Sequence, residues 1–305
     1  MPQNQLKIFP VTVLPLRNGR AGEGGRRLCP ESGPGRRSRP WLSVVTICLN
    51  CRDELESTMA SVLRWPSSEV EYIIIDGGSS DGSVELLQQY DSQLEYWVSE
   101  PDQGISDAFN KGISLCRGDV VGLLNAGDWY APDALAAVRK DFAAHRESGV
   151  VCGRMQFWQG GEKAYCTDSE PALLRRDMSV AHPACFVRTT VYHALGGFDA
   201  DFRLAMDYEL LLRFFVHGVG FVKNSTVLTN MRHDGISEEQ WRMALEETHK
   251  ARKRYLPGSL YASRTYLSWL VVRRYLRFAL QKLGMNGLIR FYREHLAAVT
   301  KVRPQ

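Results

Sequence analysis

Residues 73–82 read Ile-Ile-Ile-Asp-Gly-Gly-Ser-Ser-Asp-Gly, an apolar β-branched run followed by a turn with two aspartates. Two further acidic turns follow, Ser-Glu-Pro-Asp-Gln-Gly at 99–104 and Gly-Leu-Leu-Asn-Ala-Gly-Asp-Trp-Tyr at 122–130. In an open α/β sheet, ligands bind outside the carboxyl ends of the strands. Acidic side chains gathered at that edge are suited to hold a metal ion and the hydroxyl groups of a nucleotide.

The first half of the chain alternates between predicted strands and predicted helices. Apolar, β-branched runs predict strands at 42–49, 70–75, 94–98 and 120–124. Helices are predicted at 53–64, 83–90, 105–116 and 132–145, the last with Pro132 in its first turn. This alternation predicts an α/β fold with a mostly parallel sheet and helices on both faces. No Gly-x-Gly-x-x-Gly follows the first strand, which argues against a dinucleotide-binding Rossmann domain.

The second half of the chain has a mixed pattern. It predicts strands at 150–158 and 220–231 and helices at 188–195, 207–217 and 237–254. The last segment, 259–299, is predicted to be helical and is rich in aromatic and basic residues. This basic segment differs in character from the sheet that precedes it.

Charge is divided unevenly along the 305 residues. The formal net charge is +4, but residues 1–40 carry +6 and residues 250–305 carry +12, which leaves residues 41–249 at −14. An acidic body suits a cation-assisted site and would repel nucleic acid, so no nucleic-acid partner is expected. Residues 17–40, rich in Gly, Arg and Pro, are expected to be disordered. No apolar stretch reaches the roughly 18–20 residues that span a bilayer, and no signal peptide is recognisable.

The seven cysteines favour reduced thiols and a cytoplasmic location, because they are odd in number and scattered. Cys48 and Cys51 form a lone Cys-x-x-Cys pair with no second pair at zinc-ligand spacing. We therefore expect these two residues to lie at the end of a buried strand.

Several motifs in a fixed order make the sequence specific. They are Asn50, Asp76-Gly-Gly-Ser-Ser-Asp81-Gly82, Asp102-Gln-Gly-Ile-Ser-Asp107-Ala-Phe-Asn110-Lys111-Gly112, Gly118-Asp119, Leu124-Asn125-Ala-Gly127-Asp128-Trp129, His182-Pro183, Gly196-Gly197-Phe198-Asp199, Ala205-Met206-Asp207-Tyr208-Glu209-Leu210 and Gly235-Ile236-Ser237. In type, order and spacing, this series resembles glycosyltransferase family two over roughly residues 41–240. The resemblance implies a GT-A fold, a Rossmann-like α/β sheet that binds a nucleotide-sugar donor.

Three regions are then expected. Residues 1–40 would be a disordered basic extension. Residues 41–240 would be the GT-A domain, with a nucleotide-binding half at 41–130 and an acceptor-binding half at 131–240. Residues 241–305 would be a C-terminal helical segment. The implied reaction moves a sugar from a nucleotide donor, expected to be UDP-linked, to a saccharide or polyprenyl-linked acceptor in surface polysaccharide assembly.

The resemblance assigns the donor pocket to the first half of the chain. Asp76 would read the base or ribose, whereas Asp81 is placed as a good N-cap of the next helix. Asp102 and Lys111 would line the same pocket, although Lys111 is also spaced to form a solvated ion pair with Asp107. The remaining residues assigned to the nucleotide sugar are Asn50, Asn125 and Gly127.

Asp128 is the expected ligand of a divalent cation, Mn²⁺ or Mg²⁺. Carboxylate oxygens suit these ions, and such an ion neutralises charge on a leaving diphosphate. The family usually carries two aspartates here, whereas this chain has Asn125 and keeps only Asp128. One carboxylate fewer should weaken metal affinity or change the preferred ion. The alternative is a capping role for Asp128 before Pro132.

Asp207 is the expected general base. Transfer with inversion needs one carboxylate to take the proton of the acceptor hydroxyl, and the resemblance places Asp207 in that role. The usual preceding acid is Met206 here, which removes a like charge and should lower the pKa of Asp207. The alternative is that Asp207 only caps its helix. Glu209 is expected to face solvent or to support the site.

Three further residues are candidates for contact with the acceptor or the diphosphate, namely His182, Arg213 and His233. A lone histidine before a proline is equally compatible with a structural role. His233 lies near a loop that resembles a flexible lid over the site. Trp129 and Trp158 are suited to stack on sugar faces, with core packing favoured for Trp158.

The C-terminal segment suggests a membrane partner. Within residues 266–283, one helical arc carries Arg273, Arg274 and Arg277, and another carries Leu267, Val271, Tyr275 and Phe278. Such a helix is typical of contact with an anionic membrane surface, here the inner face of the cytoplasmic membrane. A helix packed on the catalytic domain, with a solvated basic face, is the alternative.

Two other classes of function are alternatives to a glycosyltransferase. A nucleotide-sugar-binding scaffold without turnover is compatible with the shortened aspartate cluster and with Met206. A nucleotidyltransferase would need a glycine-rich, basic phosphate loop after the first strand, and residues 48–53 do not supply one.

Overall fold

The computed structural model describes residues 8, 10–29, 39–232, 240–285, 287 and 301–302. Eleven strands in these residues form one sheet. They are β1 (Gly22–Gly24), β2 (Leu42–Cys48), β3 (Val70–Asp76), β4 (Tyr96–Ser99), β5 (Val120–Asn125), β6 (Trp129–Tyr130), β7 (Val150–Gln159), β8 (Glu162–Thr167), β9 (Cys185–Arg188), β10 (Phe221–Arg232) and β11 (Lys301–Val302). Each strand predicted from the sequence is present.

Eight α-helices accompany the sheet in the described part of the chain. They are α1 (Arg52–Leu63), α2 (Ser83–Gln89), α3 (Ile105–Leu115), α4 (Ala134–Ala144), α5 (Thr189–Leu195), α6 (Met206–Val216), α7 (Trp241–Tyr255) and α8 (Arg264–Lys282). One predicted start is wrong, because α4 begins at Ala134 and Pro132 lies in the turn before it.

The strand order is β1-β4-β3-β2-β5-β9-β7-β10-β6, with β8 paired to β7 and β11 paired to β8. Strands β2 to β5 run parallel to their neighbours within this group. Strand β9 is antiparallel to both β5 and β7, so β7 and its parallel partner β10 point the same way as β5. The predicted mostly parallel α/β sheet is confirmed. The order reverses between β2 and β5, which is the switch point where α/β sheets bind ligands.

Both faces of the central strands are buried. Val45 and Ile73 pack into a core with Phe109 of α3 and Phe214 of α6. Their neighbours Val44, Tyr72 and Ile74 pack into a second core with α1, α2 and α4. Strands covered by helices on both faces need continuous apolar runs, which explains the β-branched composition of β2 and β3.

The predicted disorder of the N-terminal extension is wrong for residues 10–29. Strand β1 pairs antiparallel with β4 at the sheet edge, and Leu14 is buried in the core. The guanidinium of Arg27 is 1% exposed and pairs with Glu71 (2.7 Å) and Glu95 (3.4 Å). A composition rich in Gly and Arg suggests disorder, but these partners lie more than forty residues away in the chain.

Among the C-terminal helices, α7 packs on α6, and α8 packs on α7. Trp241 of α7 contacts Tyr275 and Phe278 of α8 edge-on, at ring distances of 5.6 and 6.0 Å. The apolar arc predicted to meet a membrane is therefore turned largely toward α7, with Leu267, Val271 and Phe278 half-buried. None of the helices described here is both long and apolar enough to cross a bilayer. The proposed division at residues 40 and 240 stays a prediction.

Candidate active site

Asn50 joins two loops at the switch point of the sheet. It has a left-handed backbone (φ 49°) directly after β2. Its Oδ1 accepts a hydrogen bond from the N–H of Ser80 (2.9 Å), and its own N–H donates to Ser79 Oγ (2.7 Å). Gly82, and not Asp81 as predicted, is the N-cap of α2. Asp81 lies one residue earlier and accepts from the N–H groups of Arg52 and Ser83, the first residues of α1 and α2.

Asp76, the last residue of β3, is fully buried. Its Oδ2 accepts from the N–H groups of Gly78 (3.1 Å) and Ser79 (2.9 Å) and from the hydroxyl of Ser99 (2.6 Å). Its Oδ1 accepts from the hydroxyl of Ser79 and the thiol of Cys48. Asp76 thus holds the turn under the pocket, and a direct contact with a base or ribose would require it to give up one of these bonds.

Asp102 lies beside this turn, as the motif order predicts. Its Oδ1 accepts from the N–H of Gly104 (2.7 Å), just before α3. A Cβ atom on Gly77 would lie 2.7 Å from Asp102 Oδ2, so a larger residue at position 77 would require the Asp102 carboxylate to move. Asp102 and the glycine turn after Asp76 therefore form one wall of the candidate pocket.

Lys111 forms the ion pair with Asp107 that was the alternative prediction (3.4 Å), but its side chain is buried and not solvated. Its side chain is 4% exposed, and its Nζ lies 3.0 Å from Glu100 Oε1 and 3.2 Å from the Pro101 carbonyl. Glu100 is also paired with Arg20 (2.7 Å). Burial alone would raise the pKa of Glu100, but Lys111 and Arg20 lower it. Lys111 is part of a buried ion-pair network behind the pocket wall and does not line the pocket.

The turn after β5 brings Asn125, Gly127 and Asp128 together. Asn125 Nδ2 donates to Asp128 Oδ2 (3.3 Å), and Gly127 has φ 96°. Thr58 of α1 accepts from the Gly127 N–H (2.9 Å) and donates to the Asp128 carbonyl (2.7 Å). Thr58 was missed by the sequence analysis, since a threonine within a helix carries no signal of a contact made 70 residues later.

Asp128 is 4% exposed, and burial raises its pKa to about 7. The hydrogen bond from Asn125 and the positive charge of Arg232 oppose this rise. In the described residues, no group of three or more His, Cys, Asp or Glu side chains is arranged to hold a metal. Mg²⁺ and Mn²⁺ are often held by one or two carboxylates together with substrate phosphates. The single Asp128 carboxylate is compatible with that kind of site only if the donor diphosphate completes it.

Two tryptophans flank this turn. Trp129 of β6 and Trp158 of β7 have ring centroids 5.7 Å apart. The indole N–H of Trp158 donates to Asn230 Oδ1 (2.8 Å), which fixes its ring. Both rings are half-buried, so they retain partly exposed surface at the edge of the sheet where the site lies.

Asp207 lies in the first turn of α6. Its Oδ1 accepts from the N–H of Tyr208 (2.7 Å). Burial raises the pKa of Asp207 to about 6, although backbone hydrogen bonds to the carboxylate oppose this. Met206 does remove a neighbouring acid, but burial has the larger effect on the pKa. The thioether of Met206 accepts from Ser106 Oγ (3.1 Å), which ties α6 to α3.

A cavity of about 730 Å³ lies between the N-terminal turns of α3 and α6. It is lined on one side by residues 103–107 and Asn110, and on the other by residues 200, 202, 203 and 206. It therefore reaches from the neighbours of Asp102 to the neighbours of Asp207. Asp102 and Asp207 themselves are not among the residues that line it.

Glu247 of α7 is a site residue that the sequence analysis missed. Its carboxylate accepts from the N–H groups of Arg203 (3.0 Å), Leu204 (2.8 Å) and Ala205 (2.8 Å). These groups form the turn that leads into α6 and presents Asp207. No sequence signal reveals this contact, because the partners are more than forty residues apart in the chain.

The acceptor candidates have different outcomes. Arg213 is buried and pairs with Glu209 (3.0 Å), while its other N–H groups donate to the carbonyls of Leu195 and Gly197, so it is not available to a diphosphate. Glu209 is fully buried and also accepts from Tyr255, so it supports the fold beneath the site.

His182 packs against Phe109 and Phe198, and burial lowers its pKa to about 4. His233 lies outside the described residues.

The fold is shared with solved glycosyltransferases. TarS of S. aureus (residues 1–349), solved with UDP-GlcNAc, aligns with a TM-score of 0.55 and 14% identity over 73% of this chain and 74% of that chain. The mannosyltransferase PcManGT of Pyrobaculum calidifontis, solved with GDP-Man and Mn²⁺, aligns with a TM-score of 0.55 and 17% identity. That alignment covers 72% of this chain and 65% of the mannosyltransferase, slightly less than two thirds of its length. At these identities the likeness shows the GT-A fold.

Sequence comparison identifies the family. The sequence profile of "Glycosyl transferase family 2" matches residues 43–178. An uncharacterized glycosyltransferase of Mycobacterium tuberculosis is 34% identical over 186 residues, which cover 58% of this chain and 69% of that protein. The predicted resemblance is therefore confirmed. The chain belongs to glycosyltransferase family 2 and is a glycosyltransferase of the GT-A fold.

Proposed function

We propose that this glycosyltransferase transfers a sugar, with inversion, from a nucleoside diphosphate sugar to a hydroxyl of a saccharide or polyprenyl-linked acceptor. UDP-sugars are the first donor candidates. The observation that carries the proposal is the cavity that joins the surroundings of Asp102 to those of Asp207. A donor held on the Asp102 side would present its sugar toward the carboxylate at the start of α6. TarS was solved with UDP-GlcNAc and PcManGT with GDP-Man, which supports a nucleotide-sugar donor but leaves the base open.

Asp207 would act as the general base. The Tyr208 N–H holds Oδ1, which leaves Oδ2 to accept the proton of the acceptor hydroxyl. The hydroxyl oxygen then bonds to the anomeric carbon as the bond from that carbon to the diphosphate breaks. The electron pair of the broken bond leaves with the nucleoside diphosphate. A single displacement of this kind inverts the anomeric centre and needs no covalent sugar–enzyme intermediate.

Asp128, with Asn125 beside it, would hold a divalent cation together with the donor diphosphate. When bound, the ion would supply positive charge that favours departure of the diphosphate. Asn50 and Asp76 would shape the nucleotide end of the pocket by fixing residues 78–80. Arg232, whose positive charge acts on Asp128, would contact the diphosphate as well.

Calorimetric titration with UDP, GDP and dTDP, first with Mn²⁺ and then with EDTA, tests the donor half of the proposal. We expect selective, metal-dependent binding of one nucleotide that Asp128→Ala abolishes. Asp119→Asn, at the amino end of β5 and 60% exposed, is the matched control and should bind like the wild type. Equal binding with Mn²⁺ and with EDTA would contradict the assignment of Asp128.

Transfer assays with the selected UDP- or GDP-sugar test the base. Asp207→Asn should reduce kcat by about 10²–10⁴-fold while nucleotide affinity is retained, because proton transfer contributes about that much. A scaffold without turnover is the second candidate, since the described residues contain no cluster of three metal-binding side chains. Nucleotide binding without transfer to any saccharide or lipid-linked acceptor, in wild type and variant alike, would favour the scaffold.

A further inference from the structure

Helix α8 has an apolar face that none of the described residues covers. Trp269 is 46% exposed, Val272 63% and Leu276 58%. At 3.6 residues per turn, these three side chains and Tyr275 fall within about one third of the helix circumference. The face lies beside the arc that packs on α7 and shares only Tyr275 with the apolar arc that the sequence pattern suggested.

Basic residues border this apolar face on both sides. On a helical projection, Arg273 and Arg277 follow one border, and Arg264 and Lys282 follow the other. The nineteen residues of α8 contain neither Asp nor Glu. An apolar stripe between two basic borders is typical of a helix that lies in the plane of a membrane surface.

A basic cavity of about 560 Å³ opens between α7 and α8, next to the border formed by Arg264. It is lined by Glu246, His249, Lys250, Lys253, Arg254, Arg264 and Leu267. Lys250 and Arg254 are compensated by Asp201 and Asp199. In the part of the chain that the structure describes, Lys253 and Arg264 have no ion-pair partner. The cavity therefore holds positive charge that the Glu246 carboxylate offsets only in part, next to one basic border of the apolar face.

His249 gives a second sign that this cavity suits an anion. Its Nδ1 is buried and makes no hydrogen bond with any of the described residues. Its pKa is lowered by burial and by the positive charges of Arg252, Lys253 and Arg264. A phosphate oxygen at this point would accept hydrogen bonds from the basic side chains and the imidazole and would neutralise their charge.

We propose that α8 lies in the surface of an anionic lipid bilayer, with Trp269, Val272 and Leu276 in the acyl boundary and a lipid phosphate in the cavity between α7 and α8. A second copy of the chain is a poorer occupant, because a symmetric contact through α8 would bring basic borders together without an acid between them. The proposal concerns binding only and does not depend on the transfer reaction.

Sedimentation of the full-length protein with vesicles tests this proposal. The vesicles contain phosphatidylcholine alone or phosphatidylcholine with about 30% phosphatidylglycerol, in about 0.1 M and about 0.5 M NaCl. We expect binding at least about tenfold tighter to the anionic vesicles, and weaker at high salt. Trp269→Glu/Leu276→Glu and Lys253→Glu/Arg264→Glu should each reduce binding by about tenfold or more.

Lys140→Glu/Arg146→Glu is the matched control, because it makes the same charge change at exposed positions on α4 and just after it. It should bind within about threefold of the wild type, since a distant charge is screened. Circular dichroism and nucleotide binding check that all variants fold. Equal binding to neutral and anionic vesicles would overturn the proposal. So would wild-type binding by both Trp269→Glu/Leu276→Glu and Lys253→Glu/Arg264→Glu. Self-association that Trp269→Glu/Leu276→Glu abolishes, without vesicle binding, would instead assign the face to a dimer.

Discussion

At the scale of single residues, burial separates the carboxylates suited to chemistry from those that hold the fold. Asp128 is buried and Asp207 is half-buried, neither carboxylate forms an ion pair within the described residues, and burial raises the pKa of each. Glu209 is buried too, but Arg213 neutralises it. Perturbed pKa values of the first kind are typical of functional sites.

The pH dependence of turnover follows from Asp207. Its pKa is raised from 3.8 to about 6, and a general base acts only when it is deprotonated. We expect kcat at saturating donor and metal to fall about tenfold per pH unit below about pH 6. Steady-state kinetics between pH 4.5 and 8, as about seven points, measure this limb. A kcat that stays flat down to pH 5 would contradict the assignment.

The ionisation of Asp128 should change the free energy of unfolding with pH in the opposite direction to that of an ion-paired aspartate. Its folded pKa of about 7 lies above the ordinary aspartate pKa of 3.8, so the folded protein keeps the proton to a higher pH than the unfolded chain does. The stabilisation from that proton is full below about pH 4 and is lost as pH rises through about 7.

Asp128→Asn should therefore stabilise the metal-free protein increasingly between about pH 4 and 7, by a total of roughly 2–4 kcal/mol. Thermal unfolding in EDTA at several pH values measures the difference from wild type. Asp119→Asn, at an exposed position, is the control and should show no such trend. The same gain in stability at every pH would show that burial does not raise the pKa of Asp128.

At the scale of elements, helix termini and the turns before them position the reactive groups. Residues 203–205 donate three backbone N–H groups to Glu247, so α7 determines where α6 begins. A positioning residue of this kind acts on kcat through the placement of Asp207, since small misplacements reduce turnover strongly.

Glu247→Ala should lower the free energy of unfolding by about 1–3 kcal/mol, because two partly buried N–H groups and one exposed N–H group lose their acceptor. It should also lower kcat by about tenfold or more with little change in donor KM. Glu247→Gln keeps one acceptor oxygen and should restore part of kcat. Glu246→Ala, at the exposed neighbouring position, is the control. A loss of stability without any change in kcat would make the contact purely structural.

At the scale of the whole molecule, the N-terminal segment is an integral part of the sheet. Strand β1 covers the edge of β4, where an exposed edge would otherwise invite pairing with another chain. Arg27 and Arg20 compensate Glu71, Glu95 and Glu100, which are all buried.

Arg27→Ala should therefore destabilise the protein by about 3–5 kcal/mol, because it leaves the buried Glu71 carboxylate without its cation, whereas Glu95 keeps Arg26 and Arg117. Urea unfolding followed by tryptophan fluorescence measures this effect. Arg17→Ala, whose side chain is 48% exposed, should cost less than about 1 kcal/mol. Equal unfolding midpoints for the two variants would show that the segment is dispensable for the fold.

The sequence by itself determined six of the eleven strands described, the order of the helices, the three turns at the carboxyl edge and the family. These features depend on local periodicity, turn chemistry and motif spacing. Only the tertiary structure decided the partners of Lys111 and Arg213, the folding of residues 10–29, the contact of Glu247 and the exposed face of α8. Each depends on what distant segments bring near a side chain, as when Arg20 meets Glu100 eighty residues later. Residue type fixes a charge, but only packing selects its partner and its exposure.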